Sequence, residues 1–193
     1  MMVSEKDLTK EQKAVLFIID RLGERFSIDN LYIQKAVFLV SKLLPESIAI
    51  YDYEPHNMGM FSPEVESIIK REQDLGLIKD LNVTSTGKRV IETIQKEDDV
   101  GEINQVFVDI NELGKEDILY LLYQLYPEFT VNSKIKERVD SYKLQSATID
   151  LIKLKEGDEI TIKTDKGNFI KLKKTKDTVK ITDYEEGKNN VKT

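Results

Sequence analysis

The chain reads as an α+β protein, mainly helical over residues 9–144 and ending in a small antiparallel β-meander. Three observations predict this. Apolar residues recur at three- and four-residue spacing from Val15 to about Leu144. From Ile149 to Asp183 the period changes to two. Glycine and proline punctuate the chain where one element should give way to the next.

Composition bounds the reading. The chain has 193 residues, 40% of them hydrophobic, enough to bury a core. No apolar run reaches the roughly 18–20 residues that span a bilayer. The stretch from Met1 to Glu11 is polar and lacks a signal-peptide core. There is no cysteine, which excludes disulfides, thiolate metal sites and a cysteine nucleophile. A cytoplasmic location is expected. Charged residues make up 33%, with abundant Lys, Glu and Ile and no Trp, a thermophile-like balance. The net charge of −6 argues against a dedicated nucleic-acid binder. Its distribution is uneven: residues 150–193 hold eleven Lys and nine acids, so residues 1–149 carry −8.

The elements follow in order. Thr9 and Gln12 form a capping box, Val15, Ile18, Ile19 and Leu22 follow helical spacing, and Gly23 stops the helix. A second helix starts near Ser27 to Asn30, with Ile33, Ala36, Val37, Val40 and Leu44 as its apolar face and Pro45 as its end. Residues 46–61, with Pro55 and Gly59, read as an extended stretch with a turn. Ser62-Pro63 opens a third helix, in which Val65, Ile68, Ile69 and Leu75 form the buried stripe and Gly76 the stop. One short hairpin fits between Leu77 and Val83. Thr84 to Gly87 leads into a helix carrying Val90, Ile91 and Ile94, and Glu97-Asp98-Asp99 reads as a surface connection. Ile103, Val106, Ile110 and Leu113 form the next stripe, and Ile118, Leu121, Leu122 and Leu125 another, ending before Pro127. A last helix is expected from Ser133 to about Leu144. Four strands then follow, at 149–154, 159–164, 169–174 and 178–183. The implied organisation is a first domain over 1–96, a helical extension over 97–145, the meander over 146–184 and a polar tail over 185–193.

Helix, helix, extended stretch, helix, short hairpin, helix is the winged-helix order. The segment Tyr51-Asp-Tyr-Glu-Pro-His-Asn-Met-Gly-Met-Phe-Ser-Pro-Glu-Val, then Leu75-Gly-Leu-Ile, then Val83-Thr-Ser-Thr-Gly-Lys, resembles winged-helix-like prokaryotic proteins similar to the Panacea (SocA-like antitoxin) family. Tyr126-Pro127-Glu128 and Asn132-Ser133-Lys134-Ile135 extend the resemblance, which covers roughly residues 10–140. It implies a DNA-binding or toxin-neutralising role. Met60 stands where the family has proline, and only five residues separate Leu77 from Val83, a short wing.

Two surfaces are candidates for nucleic acid. The helix from Ser62 is the candidate recognition helix, with Lys70 and Arg71 to touch phosphates, but Glu64 and Glu66 stand near its start. In the meander, alternation puts Ile160, Ile162, Ile170, Leu172, Val179 and Ile181 on one face. The other takes Lys163, Phe169, Lys171, Lys173 and Lys180, with Thr161 and Thr182, a set suited to a phosphate backbone and a stacked base. A solvated charged face is the plainer reading of each surface.

Other features carry less. His56, the only histidine, has Asp52, Glu54 and Glu64 nearby in sequence, but no spacing fixes a metal or acid–base set. Thr86-Gly87-Lys88 lacks the upstream glycine of a phosphate loop. Tyr120, Tyr123 and Tyr126 suit packing or an interface. No catalytic constellation and no cofactor or metal site is expected. The leading expectation is a DNA-associated regulator, and the alternative is a protein-binding, antitoxin-like module. A homodimer through helices around 103–126 is expected in either case.

Overall fold

The computed structural model describes residues 5–24, 27–44, 47–50, 52–109, 114–140, 155, 157–163, 169–174 and 179–185. In chain order these hold α1 (Lys10–Gly23), α2 (Asn30–Leu43), β1 (Glu54–His56), β2 (Gly59–Phe61), α3 (Pro63–Asp74), β3 (Ile78–Lys79), β4 (Asn82–Val83), α4 (Ser85–Ile94), α5 (Asp98–Asp109), α6 (Lys115–Leu125), α7 (Lys136–Asp140), β5 (Glu159–Lys163), β6 (Phe169–Lys174) and β7 (Val179–Glu185). The protein is mostly helical. Its strands form three small antiparallel sheets, β1-β2, β3-β4 and β5-β6-β7. No helix of the described residues is long and apolar enough to cross a membrane.

The helix starts are set by side chains that satisfy otherwise orphaned amides. Thr9 accepts from the Gln12 amide at 3.3 Å while Gln12 Oε1 accepts from the Thr9 amide at 2.9 Å, the reciprocal box the sequence predicts. Asp29, Ser62 and Thr84 cap α2, α3 and α4 in turn. One expectation is corrected here. Asp98 and Asp99 are not a connection but the first turn of α5. Their carboxylates suit the positive end of a helix. Lys10 meets Asp99 at 3.1 Å and Lys13 meets Glu97 at 2.7 Å, tying this end to α1.

Helix α1 is the hub. Its five consecutive residues Val15, Leu16, Phe17, Ile18 and Ile19 are all buried, because α2, α3, α4 and α5 pack around it. A one-sided stripe was expected; the surrounding helices leave no solvent side over that stretch. Ile103, Val106, Phe107, Ile118, Leu121 and Leu122 of α5 and α6 join the same core. Ile110 and Leu113 lie outside the described residues. The last helix is described only as α7, after a 3-10 turn at Pro127–Thr130, and residues 141–144 lie outside the description.

The hairpin expected between Leu77 and Val83 is as short as predicted. Ile78 pairs with Val83 and Lys79 with Asn82, leaving a two-residue turn at Asp80-Leu81. Both turn residues have positive φ, 50° and 60°, the hairpin geometry that matches strand twist. At its base, the Thr84 hydroxyl donates to the Gly76 carbonyl at 2.7 Å. Gly87 sits against the Leu77 carbonyl, where a Cβ would approach it to 2.4 Å. The Gly-Leu-Ile and Thr-x-x-Gly segments are thus the two sides of one joint.

The meander is described as three strands; the strand expected at 149–154 lies outside the described residues. Its last strand runs beside α2.

Gly87→Ala is expected to cost about 1–3 kcal/mol, because the obstructing atom is backbone and cannot rotate away. Gly101, inside α5 with open space around it, is the control. Gly101→Ala is expected to stabilise by about 0.5–1 kcal/mol, the usual gain for a helix interior. Urea unfolding of both variants checks the pair of signs.

Candidate functional site

Helix α3 and the β1-β2 hairpin that leads into it are held by two adjacent polar residues of α2. Gln34 Nε2 donates to the Ser62 carbonyl at 3.1 Å, and its Oε1 accepts from the Ser62 amide at 3.0 Å. Lys35 Nζ donates to the Met60 carbonyl at 2.6 Å. Both side chains are 1% exposed. A buried backbone group without a partner costs about 1–3 kcal/mol, so these bonds let the strand edge lie inside the protein. They fix the backbone on both sides of the Ser62 cap and so aim the start of α3.

That arrangement leaves two ionisable groups in unusual places. Burial pushes the Lys35 ammonium down to about 7. Glu72, in the last turn of α3, is fully buried, and neither carboxylate oxygen has a hydrogen-bond partner. Burial drives it well above the usual carboxylate range, so it favours the neutral acid. Neither was expected from the sequence. Its one visible trace for Lys35 is a polar pair, Gln34-Lys35, breaking the run from Leu31 to Val40.

The hairpin is braced from its other side. Asn132 Nδ2 donates to the Pro55 carbonyl at 3.1 Å and the Lys134 amide to the Asn57 carbonyl at 2.7 Å. Gly59, at φ 86°, lies under Tyr123, whose hydroxyl shares a 2.7 Å bond with Ser133. Tyr126 and Phe129 meet Phe38 edge-on, with centroids 5.0 and 5.2 Å away, and Tyr53 meets it at 4.8 Å. Tyr123 and Tyr126 are therefore packing residues, 3% and 5% exposed. The apolar side chains of α5 and α6 named above are likewise used within the chain. His56 is exposed, with its ring 4.9 Å from that of Phe61.

The outward face of α3 carries the charges the sequence predicts. Lys70 and Arg71 are exposed and pair with no described residue. At the other end, Glu64 has its carboxyl pushed up, first by partial burial and then by the charges of Glu11 and Asp52. Three acids thus share the field at the start of the candidate recognition helix.

Among the sheet residues, register corrects the expected lysine face. Strand partners share a face. Glu159 pairs with Lys173, which pairs with Lys180; Thr161 pairs with Lys171, which pairs with Asp183; Lys163 pairs with Phe169, which pairs with Glu185. A bulge opposite Lys171/Leu172 leaves Thr182 unpaired and brings Asp183, not Thr182, beside Lys171. Each row therefore contains an acid or lies beside one. Lys173 Nζ meets Glu159 Oε1 at 3.0 Å. The lysines at 163, 171, 173 and 180 do fall in one set of rows, but Glu159, Asp183 and Glu185 fall there with them. Lys70 and Arg71 belong to a different element.

Comparison with protein-family models, with curated proteins and with solved structures returns no match.

Lys35 and Glu72 give stability opposite dependences on pH. Between about 7 and its ordinary value of 10.5, the unfolded chain holds a Lys35 proton that the folded chain has lost. Stability should therefore rise with pH there, by up to ~1.4 kcal/mol per pH unit. Above its ordinary 4.5, Glu72 is ionised when unfolded and protonated when folded, so its contribution should fall as pH rises. Lys35→Met is expected to remove the rising limb, and Glu72→Gln the falling one. Guanidinium unfolding at intervals from pH 5 to 10 checks both slopes, independently of any change in absolute stability.

Proposed function

We propose that the chain is a protein-binding module of winged-helix-like form, antitoxin-like in the sense that it acts by engaging a partner protein. The observation that carries this is the acidic start of α3. A helix that reads DNA presents its first turns to bases and phosphates, where donors and positive charge are needed. Here Glu64 and Glu66 occupy the first turn, and Glu11 and Asp52 act on Glu64. A phosphate backbone brought to that end would meet several carboxylates. A basic protein surface would meet complementary charge.

Two further observations support the same reading. The wing is a two-residue turn, too short to add much contact in a minor groove. The meander rows that hold four lysines also hold three acids, one of them already paired with Lys173. A sheet face with that balance is a weak attractor for a polyanion.

The second reading is a DNA-associated regulator. It is favoured by the element order and by Lys70 and Arg71, exposed on the outer face of α3.

One experiment separates them. The tagged chain, recovered from its native host, is expected to bring down a protein in fixed proportion. Glu64→Lys with Glu66→Lys should weaken that association at least roughly ten-fold, as charge reversal at a complementary contact does. A mobility-shift assay in low salt should show no retarded duplex. A salt-sensitive shift that disappears in Lys70→Ala with Arg71→Ala would instead establish the DNA reading.

A further inference from the structure

The β1-β2 hairpin has a second property besides leading into α3: it holds out apolar side chains. Among the described residues only two large apolar side chains are exposed, Met58 at 37% and Val131 at 66%. Met58 is in the turn between β1 and β2, and Val131 precedes the segment that braces the same hairpin through Asn132 and Lys134. The other large apolar side chains whose burial is described are buried or partly buried. Scattered single exposures are ordinary on protein surfaces. These two belong to one small platform.

The platform is braced from both sides. Lys35 holds β2 at Met60 and Gln34 holds Ser62 just beyond it, Asn132 holds β1 at Pro55, the Lys134 amide holds the turn at Asn57, and Tyr123 packs over Gly59 at the start of β2. Both edges of the hairpin carry these bonds, which disfavours addition of a partner as a further strand. What the platform offers is an apolar tip on a braced backbone, and a backbone already ordered loses little entropy on binding. The foot of the platform is acidic. Asp52 and Glu54 are exposed along the chain entering the tip, and Asp52 acts on Glu64 at the start of α3.

We infer that this platform is the docking surface for the partner protein. Met58 and Val131 insert between apolar side chains of the partner, and Asp52, Glu54 and Glu64 face its lysines and arginines. The occupant is a partner segment that combines apolar residues with net positive charge. The apolar pair supplies the anchor and the acids supply orientation and rate of encounter. This rests on the protein-binding reading and adds the place and the chemistry of the contact.

The test is site-specific photo-cross-linking in the native host. p-Benzoylphenylalanine is placed singly at position 58 or 131 of the full chain, and at exposed positions 70 and 96 for comparison. The expected result is one protein adduct from 58 and 131, mapped by mass spectrometry to a basic, apolar-containing segment. It should be reduced at least five-fold by Asp52→Lys with Glu54→Lys, with the thermal transition unchanged. Adducts to the same partner from 70 or 96 but not from 58 and 131 would overturn the site and leave the protein-binding reading standing. No protein adduct from any position would overturn both. A second copy of this chain, or nucleic acid, captured at 58 and 131 would overturn the stated occupant. If the charge-reversed chain fails to fold, Met58→Ser with Val131→Ser serves instead, with loss of co-recovery expected and full retention overturning the site.

Discussion

The contact on which the rest of the structure depends is the one between Gln34 and Lys35 of α2 and the backbone from Met60 to Ser62. Three main-chain groups at the end of β2 turn into the protein rather than toward water. Each would be costly if left alone. Gln34 answers the amide and the carbonyl of Ser62 together, and Lys35 answers the Met60 carbonyl. Without them the strand edge would have to face solvent, and α3 would leave the hairpin in another direction. The arrangement is bought with the burial of a lysine, which holds its proton only weakly as a result. Glutamine in the same place reaches one donor and one acceptor without carrying a charge, which is why the pair divides the work as it does.

Much of the fold was legible because it is written in local chemistry. Thr9, Asp29, Ser62 and Thr84 are short oxygen-bearing residues set just before an apolar period, and each caps a helix. Gly76 and Gly87 could be flagged as joints, and the structure gives each a reason: a left-handed φ of 71° at the first and a backbone carbonyl against the second. What was not legible depends on tertiary environment. Periodicity ranks positions by apolarity, so it passes over polar residues that are buried because a distant backbone needs them. Gln34, Lys35 and Glu72 were missed on that ground. Leu75, assigned to the buried stripe of α3, is only partly buried, while Glu72 lies wholly inside.

The meander shows a different limit. Strict alternation assumes an unbroken ladder. One extra residue reverses the sides of everything after it. The bulge near Thr182 does this, setting Asp183 beside Lys171 and Glu185 beside Phe169. The alternation that groups the lysines also places Glu159 among them, through Thr161 and Lys163, but Asp183 and Glu185 could not be placed there without the register. A charge pattern read along one strand describes a face only when the neighbouring strands are aligned with it.

These corrections act in one direction on the question of partners. The sequence left two sources of positive charge for a nucleic acid, the outer face of α3 and the lysine rows of the meander. The structure surrounds the start of the first with carboxylates and interleaves the second with them. On α3 favourable charge for a polyanion is then limited to Lys70 and Arg71, and two cations supply little of the counterion release on which DNA affinity rests. The braced hairpin points the other way. The part of an apolar turn left in water adds nothing to stability, since it buries no surface there. Such a turn does gain in association, where a backbone already braced forfeits less freedom when a partner covers it. The same Gln34–Lys35 contact that fixes the start of α3 holds β2, the strand that follows that turn, and so joins the hairpin to the acidic start of the helix.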